Sequence, residues 1–480
     1  MTLAYRSTRS EARLGSFTDI LLEGLSPDGG LAVPEHLPQL KPGQLQEWAQ
    51  LPYPELAAQV MALYADDLGV SVLRPLAARA YSSEKFGDHR ITPLHVLGVE
   101  GGAPLGLLSL SNGPTLAFKD LAMQMLGELF EYVLSAQGRT LNILGATSGD
   151  TGGAAEYAMR DKPSVSVFML SPEGRMSAFQ RAQMYSLQEP RIHNLTVPGS
   201  FDVCQDLVKA VSADLAFKAQ WRIGTVNSIN WARITAQVVY YFAGYFQAVS
   251  AFNLRLGDAV SFSVPSGNFG NVLSGYMAQR MGLPVAHLVV ATNENRVLDE
   301  FFKTGCYRPR SADETHLTSS PSMDISKASN FERYVFDVVG EDSVALDALW
   351  QTLAKQGSFE LKTSAPHWSR VEQSRVQSGA SNHAQRLLAI RDVAVRYNRV
   401  IDPHTADGLV VARGLLERDV PMVCLETALP AKFSETIEEA LGHPAPRPSG
   451  LVGLESLPQR VTRMPADLQA LKTFISERGL

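Results

Sequence analysis

Lys119 stands near the end of the segment 111–120 (SNGPTLAFKD), where a Gly-Pro turn leads into an apolar helix. Three apolar residues precede this lysine, so we expect its amine to be partly removed from water. Desolvation lowers the pKa of an ammonium group, and the neutral amine is the form that condenses with an aldehyde. Lys119 is therefore a candidate Schiff-base lysine. Taken alone, the position also suits a helix-start lysine that reaches water beside Asp120.

A glycine-rich loop follows the apolar run 140–144. Residues 145–153 (GATSGDTGG) combine four glycines with the hydroxyls of Thr147, Ser148 and Thr151. Glycine lets a backbone approach a ligand closely, and the first N–H groups of a helix attract anions. The loop therefore predicts an anion cradle, although a tight turn without a ligand is the alternative. The spacing is neither that of a Walker loop nor that of a dinucleotide-binding loop.

A second junction repeats this pattern. The apolar run 260–264 is followed by residues 265–271 (PSGNFGN) and by a helix that begins near Val272. Two anion sites in one sheet indicate two negatively charged groups that are held near each other. A phosphorylated cofactor that faces an anionic substrate would fit this arrangement.

Thr427 ends a third apolar run, 422–426. Its hydroxyl could bind a heterocycle nitrogen, and a hydroxyl, unlike a carboxylate, leaves a pyridine nitrogen largely unprotonated. A threonine that only ends a strand is the alternative.

Four polar residues precede or open the helix predicted at 232–248. A phosphate could lie there against N–H groups and a guanidinium, while ordinary capping by serine or asparagine is the alternative. The four residues are Asn227, Ser228, Asn230 and Arg233.

The elements that must position these residues form an α/β pattern. From about residue 91, short apolar runs alternate with helical patterns, which indicates parallel sheets covered by helices. Strands are predicted at 140–144, 165–170, 260–264, 286–291 and 422–426, and helices at 154–159, 232–248, 272–281 and 383–397. Ligands of such folds collect where strands end and helices begin. Residues 1–90 form a separate mixed unit with a predicted helix at 56–68.

Composition excludes several classes of function. The chain has 480 residues and a formal charge of -6, from 43 basic and 49 acidic residues without a lysine-rich block, so we expect no nucleic-acid partner. No window approaches the ~20 apolar residues of a membrane span, and we expect a cytoplasmic protein without a membrane partner. Cys204, Cys306 and Cys424 lack the paired spacing of a zinc site, so no metal is expected.

Five motifs, in this order and at this spacing, resemble those of threonine synthases. The resemblance spans nearly the whole chain. The motifs are GPTLAFK at 113–119, ATSGDTG at 146–152, NSIN at 227–230, VPSGNFG at 264–270 and PAKF at 430–433.

This resemblance implies a fold type II pyridoxal-phosphate enzyme with two parallel-sheet α/β domains and an N-terminal extension. It implies conversion of O-phospho-L-homoserine and water to L-threonine and phosphate. It also implies that Lys119 carries pyridoxal 5'-phosphate and that Thr427 meets the pyridine nitrogen. The residues implied to line the cofactor phosphate pocket are Gly267, Asn268, Phe269 and Asn271. The expected domains are 1–90 (extension), 91–230 (smaller) and 231–480 (larger).

With such a cofactor, Lys119 would move protons at the α-carbon and then the β-carbon of the substrate. We expect the loop at 147–151 to hold the substrate carboxylate or phosphate, and the helix start at 227–233 to hold phosphate. The expected substrate-binding residues are Thr147, Ser148, Asp150, Thr151, Asn227, Ser228, Asn230 and Arg233. His404 either approaches the pocket or is structural.

Two alternatives stay open from the sequence. A hydroxyamino-acid dehydratase of the same cofactor class would need the lysine and the glycine loops but no second phosphate site. A binding or regulatory descendant of the fold would lack the visible absorption of a bound cofactor. We expect a monomer or a homodimer.

Overall fold

Parallel strands flanked by helices make up most of the chain. The computed structural model describes residues 2–23 and 26–480. The strands are β1 Tyr5–Ser7, β2 Arg13–Gly15, β3 Ala32–Pro34, β4 Leu94–Glu100, β5 Ala103–Leu108, β6 Leu141–Ala146, β7 Val165–Pro172, β8 Ile192–Val197, β9 Ile223–Gly224, β10 Val260–Pro265, β11 Val285–Thr292, β12 Cys306–Tyr307, β13 Phe359–Glu360, β14 Val376–Ala380, β15 Met422–Leu425 and β16 Thr462–Arg463.

Helices of very different length cover and connect these strands. They are α1 Phe17–Glu23, α2 Gln44–Trp48, α3 Tyr53–Ala62, α4 Gly69–Ala80, α5 Ser83–Phe86, α6 Lys119–Gln137, α7 Asp150–Met159, α8 Ala178–Tyr185, α9 Phe201–Ala213, α10 Leu215–Gln220, α11 Trp231–Ala251, α12 Gly270–Met281, α13 Val297–Thr304, α14 Phe331–Val338, α15 Ser343–Gln356, α16 Ala365–Gln373, α17 His383–Tyr397, α18 Pro403–Arg413, α19 Ser434–Leu441 and α20 Leu468–Arg478. None of the helices in the described ranges is long and apolar enough to cross a membrane.

The larger sheet has the strand order β14-β11-β10-β15-β5-β4. All its pairs are parallel except the edge pair β4 and β5. In the centre of this sheet Phe262 pairs with Leu288 on one side and with Val423 on the other. Every residue of β10 is buried, as expected for a strand covered on both faces. Because β10 and β15 are parallel, their carboxyl ends lie at the same edge of the sheet.

The smaller sheet has the order β16-β8-β7-β6-β9, and all its pairs are parallel. Strand β6 pairs with β7 through Ile143 and Val167, and it ends at Ala146, inside the glycine-rich segment 145–153. Helix α7 begins at Asp150 of the same segment and packs against α6. The strands and helices predicted around the glycine-rich junctions are confirmed, with differences of a few residues at their ends. The expectation that both junctions lie in one sheet is wrong, because β6 belongs to the smaller sheet and β10 to the larger one.

Sheet membership crosses the boundaries expected from the sequence. Strands β4 and β5 lie between residues 91 and 230 but complete the larger sheet. Strand β16 lies near the C-terminus but pairs with β8 of the smaller sheet, and α20 packs on α9 beside it. The physical reason is that an edge strand pairs wherever unpaired backbone groups are available, independent of its place in the chain.

The N-terminal unit differs from expectation in one helix. The helix predicted at 56–68 is α3, which ends at Ala62, followed by a turn and then by α4. The turn carries Asp66 and Asp67, whose carboxylates accept hydrogen bonds from the backbone N–H groups of Leu3 (2.8 Å) and Thr18 (2.9 Å). Tertiary contacts to Leu3, just before β1, and to Thr18 of α1 thus outweigh the continuing apolar pattern.

Candidate active site

Lys119 is the first residue of α6, and its side chain is 13% exposed. The preceding segment is attached to the end of β15. Phe118 donates its backbone N–H to the carbonyl oxygen of Thr427 at 2.9 Å, and Ala117 forms an isolated bridge with Ala428. The structure therefore brings the predicted lysine and the predicted ring-binding threonine to adjacent positions.

Asp150 connects Lys119 to a second lysine. One carboxylate oxygen lies 3.6 Å from Lys119 Nζ, and the other lies 2.7 Å from Nζ of Lys432. Burial and the two ammonium groups act in opposite directions on the Asp150 carboxyl, and its pKa is lowered. Burial lowers the pKa of Lys119, an effect that Asp150 opposes and that Lys432 and Arg233 reinforce. The lysine thus has the shift that its sequence context predicts.

The glycine-rich loop is ordered by its own threonine. Thr147 Oγ1 accepts hydrogen bonds from the N–H groups of Gly149 at 3.0 Å and Gly152 at 2.9 Å. Thr147 is buried, Thr151 is half-buried and Ser148 is exposed. The Thr147 hydroxyl oxygen therefore stabilises the turn of the predicted anion cradle. Only the hydroxyl proton of Thr147 is left to bind a ligand.

Asp150 was expected to hold substrate together with these hydroxyls. The structure places its carboxylate against two ammonium groups, the amide of Gln180 (3.1 Å) and the hydroxyl of Ser322 (3.3 Å). A buried carboxylate repels an anionic substrate group, so this geometry favours a role as counter-ion of the lysines.

The second glycine turn leads from β10 into α12. Phe269 has a left-handed φ of 63°, and α12 begins at the next residue. A Cβ atom on Gly267 would lie 3.2 Å from the carbonyl oxygen of Ser322, so this side of the turn is covered by residues 322–325. The buried Ser266 hydroxyl has no hydrogen-bond partner in the described part of the chain. An unpaired buried hydroxyl at a helix start is what a bound phosphate would satisfy.

Asn271 was expected to line this pocket, but its side-chain oxygen faces the core. It accepts hydrogen bonds from the hydroxyl groups of Tyr240 (2.6 Å) and Tyr241 (2.8 Å). Only its amide nitrogen is left to face a ligand. The tyrosines anchor the first turn of α12 against α11.

Arg233 is a buried cation that has no counter-ion among the described residues. It is 3% exposed, donates from Nη1 to the carbonyl oxygen of Val226 at 2.8 Å, and has an unpartnered Nε. No carboxylate of the described residues forms an ion pair with it, and burial lowers its pKa to about 10. A buried charge without a partner lowers the free energy of unfolding by roughly 3–5 kcal/mol. A bound anion would remove this destabilisation at Arg233.

The other three residues of the predicted phosphate site have different surroundings. Asn230 caps α11 by accepting from Ala232 N at 3.0 Å, and its amide donates to Leu21 O at 2.9 Å, so both of its polar atoms are engaged. Ser228 is half-buried and Asn227 is exposed. For Asn230 the capping alternative describes the observed contacts.

Asn330, which the sequence patterns did not single out, joins the helix start predicted to hold phosphate, 227–233, to the glycine turn 265–271. Its amide nitrogen donates to the carbonyl oxygen of Ser228 at 3.0 Å, and its backbone N–H donates to that of Asn268 at 3.1 Å. The helix start at 227–233 and the turn at 265–271 are therefore neighbours.

His404 is fully buried and serves as a structural link. Its Nδ1 lies 2.7 Å from Asp402 Oδ1, and its Nε2 accepts the backbone N–H of Ser322 at 3.0 Å. Because Nε2 is an acceptor, the ring proton is on Nδ1 and points to the carboxylate. His404 thus holds Ser322 beside Asp150, which matches the structural alternative.

Comparison with known proteins identifies the family of this chain. The family model described as "Threonine synthase N terminus" matches residues 4–81, and the one described as "Threonine synthase, C-terminal" matches residues 405–475. The chain is 55% identical to the threonine synthase of Methylobacillus glycogenes over 99% of its length and 100% of that relative. It is 50% identical to the threonine synthase of Corynebacterium glutamicum over 98% of both chains.

Solved structures agree with these relatives. A crystal structure of threonine synthase with bound PLP from Brucella melitensis superposes with a TM-score of 0.93, at 37% identity and with 100% of both chains covered. The yeast threonine synthase structure gives a TM-score of 0.91 at 35% identity, covering 99% of this chain and 98% of that chain. The expected fold type II architecture is confirmed, and with relatives of this identity along nearly its whole length the chain belongs to the threonine synthase family.

Proposed function

We propose that the chain holds pyridoxal 5'-phosphate on Lys119 and converts O-phospho-L-homoserine and water to L-threonine and phosphate. The observation that carries this proposal is the surplus of buried positive charge. Lys119 and Lys432 share one carboxylate, that of Asp150, and Arg233, whose charge also acts on Lys119, has no ion-pair partner among the described residues. A phosphorylated cofactor and a phosphorylated substrate are the anions that such a surplus would bind.

The residues fit the cofactor at each of its parts. Lys119 offers a nearly buried amine for the aldehyde, and Thr427 lies beside it for the ring nitrogen. The turn at 265–271 offers the start of α12 and the unpaired Ser266 hydroxyl for the phosphate. We assign the cofactor phosphate to this turn, which includes Gly267, Asn268 and Phe269, with Asn271 contributing its amide nitrogen.

The substrate would occupy the space between Lys119 and the two loops. We assign the substrate phosphate to Arg233, with Asn227 and Ser228 at the rim, because Arg233 alone of these has an uncompensated charge. The carboxylate is assigned to the hydroxyls and N–H groups of Thr147, Ser148 and Thr151, at the start of α7.

When bound, pyridoxal phosphate supplies an electron sink for charge that develops on the substrate carbon atoms. Lys119 Nζ would remove the proton of the α-carbon and, after giving that proton up, one of the β-carbon, each time as the neutral amine that burial favours. The γ-carbon that loses phosphate and the α-carbon would each regain a proton, and water would add at the β-carbon, so that one water molecule is consumed for each phosphate released. Arg233 would stabilise the leaving phosphate. The low exposure of Lys119 and Asp150 limits early entry of water, which must add at the β-carbon only after phosphate has left.

The test is phosphate release from O-phospho-L-homoserine by the purified protein loaded with cofactor. We expect turnover with this substrate and none with Lys119→Ala. In Arg233→Met we expect a rise in KM of about 10- to 100-fold, the value of a lost charged hydrogen bond. Arg255→Met is the control, because Arg255 is 92% exposed. Turnover of serine without turnover of O-phospho-L-homoserine would instead identify a dehydratase and reject the proposal.

A further inference from the structure

We propose that Lys432 is a positioning residue, which binds Asp150 so that only one oxygen of this carboxylate faces the Lys119 amine. The inference rests on the proposed function of Lys119. It assigns to the PAKF segment the task of keeping the reactive amine available in its neutral form.

The contacts of Lys432 are those of a fixed, fully buried cation. Its side chain is 0% exposed, and Nζ lies 2.7 Å from Asp150 Oδ1. The same ammonium donates to the carbonyl oxygen of Thr115 at 2.8 Å, in the segment that leads to Lys119. Lys432 therefore connects three parts of the chain: the 430–433 turn, the start of α7 and the approach to α6.

Asp150 is held from other directions as well. Gln180 donates to Oδ1 at 3.1 Å, and Ser322 donates to Oδ2 at 3.3 Å. These neutral donors fix the carboxylate but do not share its charge. Lys432 differs from them because its positive charge competes with Lys119 for the same carboxylate.

Three charged groups act on the Lys119 amine from the surrounding elements. Asp150 at the start of α7 favours the ammonium form, whereas Lys432 and Arg233 of α11 disfavour it. Asp120, the next residue of α6, accepts hydrogen bonds from the N–H (2.8 Å) and the hydroxyl (2.6 Å) of Thr115. Removal of Lys432 would leave Asp150 to Lys119 alone, and the ammonium form would become more stable.

The experiment measures the titration of Lys119 itself. The full-length chain, freed of cofactor, is labelled with trace acetic anhydride across a pH series, and mass spectrometry quantifies the peptide that contains Lys119. Lys209, which is 70% exposed, serves as the internal reference. We expect Lys432→Met to raise the midpoint of Lys119 labelling by roughly one to two pH units, and Asp150→Asn to lower it by a similar amount. Lys432→Arg, which keeps the charge, should restore the midpoint toward that of the unchanged protein.

The double variant Asp150→Asn with Lys432→Met removes both charges, so its midpoint should lie above that of Asp150→Asn alone. This comparison keeps the test decisive if Lys432→Met does not fold. Lys472→Met is the matched control, since Lys472 of α20 forms a partly buried ion pair with Asp214 at the end of α9. Unchanged midpoints in both comparisons would overturn the inference. Because the labelling needs neither cofactor nor substrate, this failure is distinct from a failure of the proposed function.

Discussion

Glu156 is a fully buried carboxyl on α7, the helix that starts with Asp150. Its Oε2 lies 3.4 Å from the amide nitrogen of Asn194, and Oε1 has no partner in the described ranges. Burial raises its pKa well above the ordinary value of 4.5, while Asn194 and Arg460 oppose this effect only in part. The side chain is therefore protonated in the folded protein at a pH where it would be ionised in the unfolded chain.

Replacement of Glu156 by glutamine should change how stability depends on pH. A raised pKa means that the contribution of Glu156 is fully present below about pH 4.5 and is lost as the pH rises toward its folded value. Glutamine does not titrate and resembles the protonated acid. We therefore expect the free energy of unfolding of Glu156→Gln, relative to the unchanged protein, to increase from pH 5 to pH 8.5 in urea titrations. The exposed Glu438→Gln should show no such increase, and equal pH profiles for the two variants would contradict the assignment.

At the scale of elements, the junction between β6 and α7 depends on one glycine. Gly149 has a φ of 138°, and a Cβ atom there would lie 2.5 Å from the amide carbon of Gln180. Gln180 itself binds Asp150 and forms the capping box of α8 with Ser177. A side chain at position 149 would therefore displace the residues that fix Asp150.

We expect Gly149→Ala to lower the free energy of unfolding by roughly 2–4 kcal/mol, because backbone strain and a steric clash add. The affinity for cofactor, measured by fluorescence titration, should fall with it. Gly138→Ala is the matched control: Gly138 is also left-handed, with a φ of 60°, but no atom lies within 4 Å of its added Cβ. Gly138→Ala should lower the free energy of unfolding by only about 1 kcal/mol, because it adds backbone strain without a steric clash. Equal losses in both variants would show that packing at Gln180 is unimportant.

At the scale of the whole molecule, Arg333 joins the N-terminal unit to the helix start at 227–233 and to Asn330, which contacts the turn at 265–271. Its guanidinium is 1% exposed and donates to the carbonyl oxygens of Ala32 (2.9 Å) and Ile229 (2.7 Å) and to Asn330 Oδ1 (2.6 Å). It also stacks on Trp231, 5.1 Å from the ring centroid. Burial lowers its pKa to about 9. The N-terminal residues therefore contribute to the support of the site.

Arg333→Met should lower the free energy of unfolding by roughly 2–4 kcal/mol. Three buried acceptors would lose their donor, at about 1 kcal/mol or more each, while relief of the buried charge offsets a part of this loss. We also expect weaker stabilisation by added inorganic phosphate in thermal melts, because Asn330 would no longer be held. Arg255→Met, at an exposed ion pair, should change stability by less than about 0.5 kcal/mol. If added phosphate stabilises Arg333→Met as much as it stabilises the unchanged protein, Arg333 does not support the site.

The local sequence determined the parts of this protein that depend on neighbours in the chain. Apolar runs that end in glycines and hydroxyls predict strand, turn and helix start, as found for β6 and α7 and for β10 and α12. The apolar residues before Lys119 predicted its desolvation, because they remain its neighbours in any fold. The motifs also identified the family, since their order and spacing can be read from the sequence without a structure.

Only the tertiary structure decided which distant groups meet. Nothing in the spacing of the sequence indicates that Lys432 shares Asp150 with Lys119, that Asn330 joins two loops, or that β4 completes the larger sheet. Such contacts arise when buried charges and unpaired backbone groups find partners during packing, and those partners are selected by proximity in space. The position of the proposed Schiff-base lysine therefore follows from the sequence, whereas the charges that surround it follow from the fold.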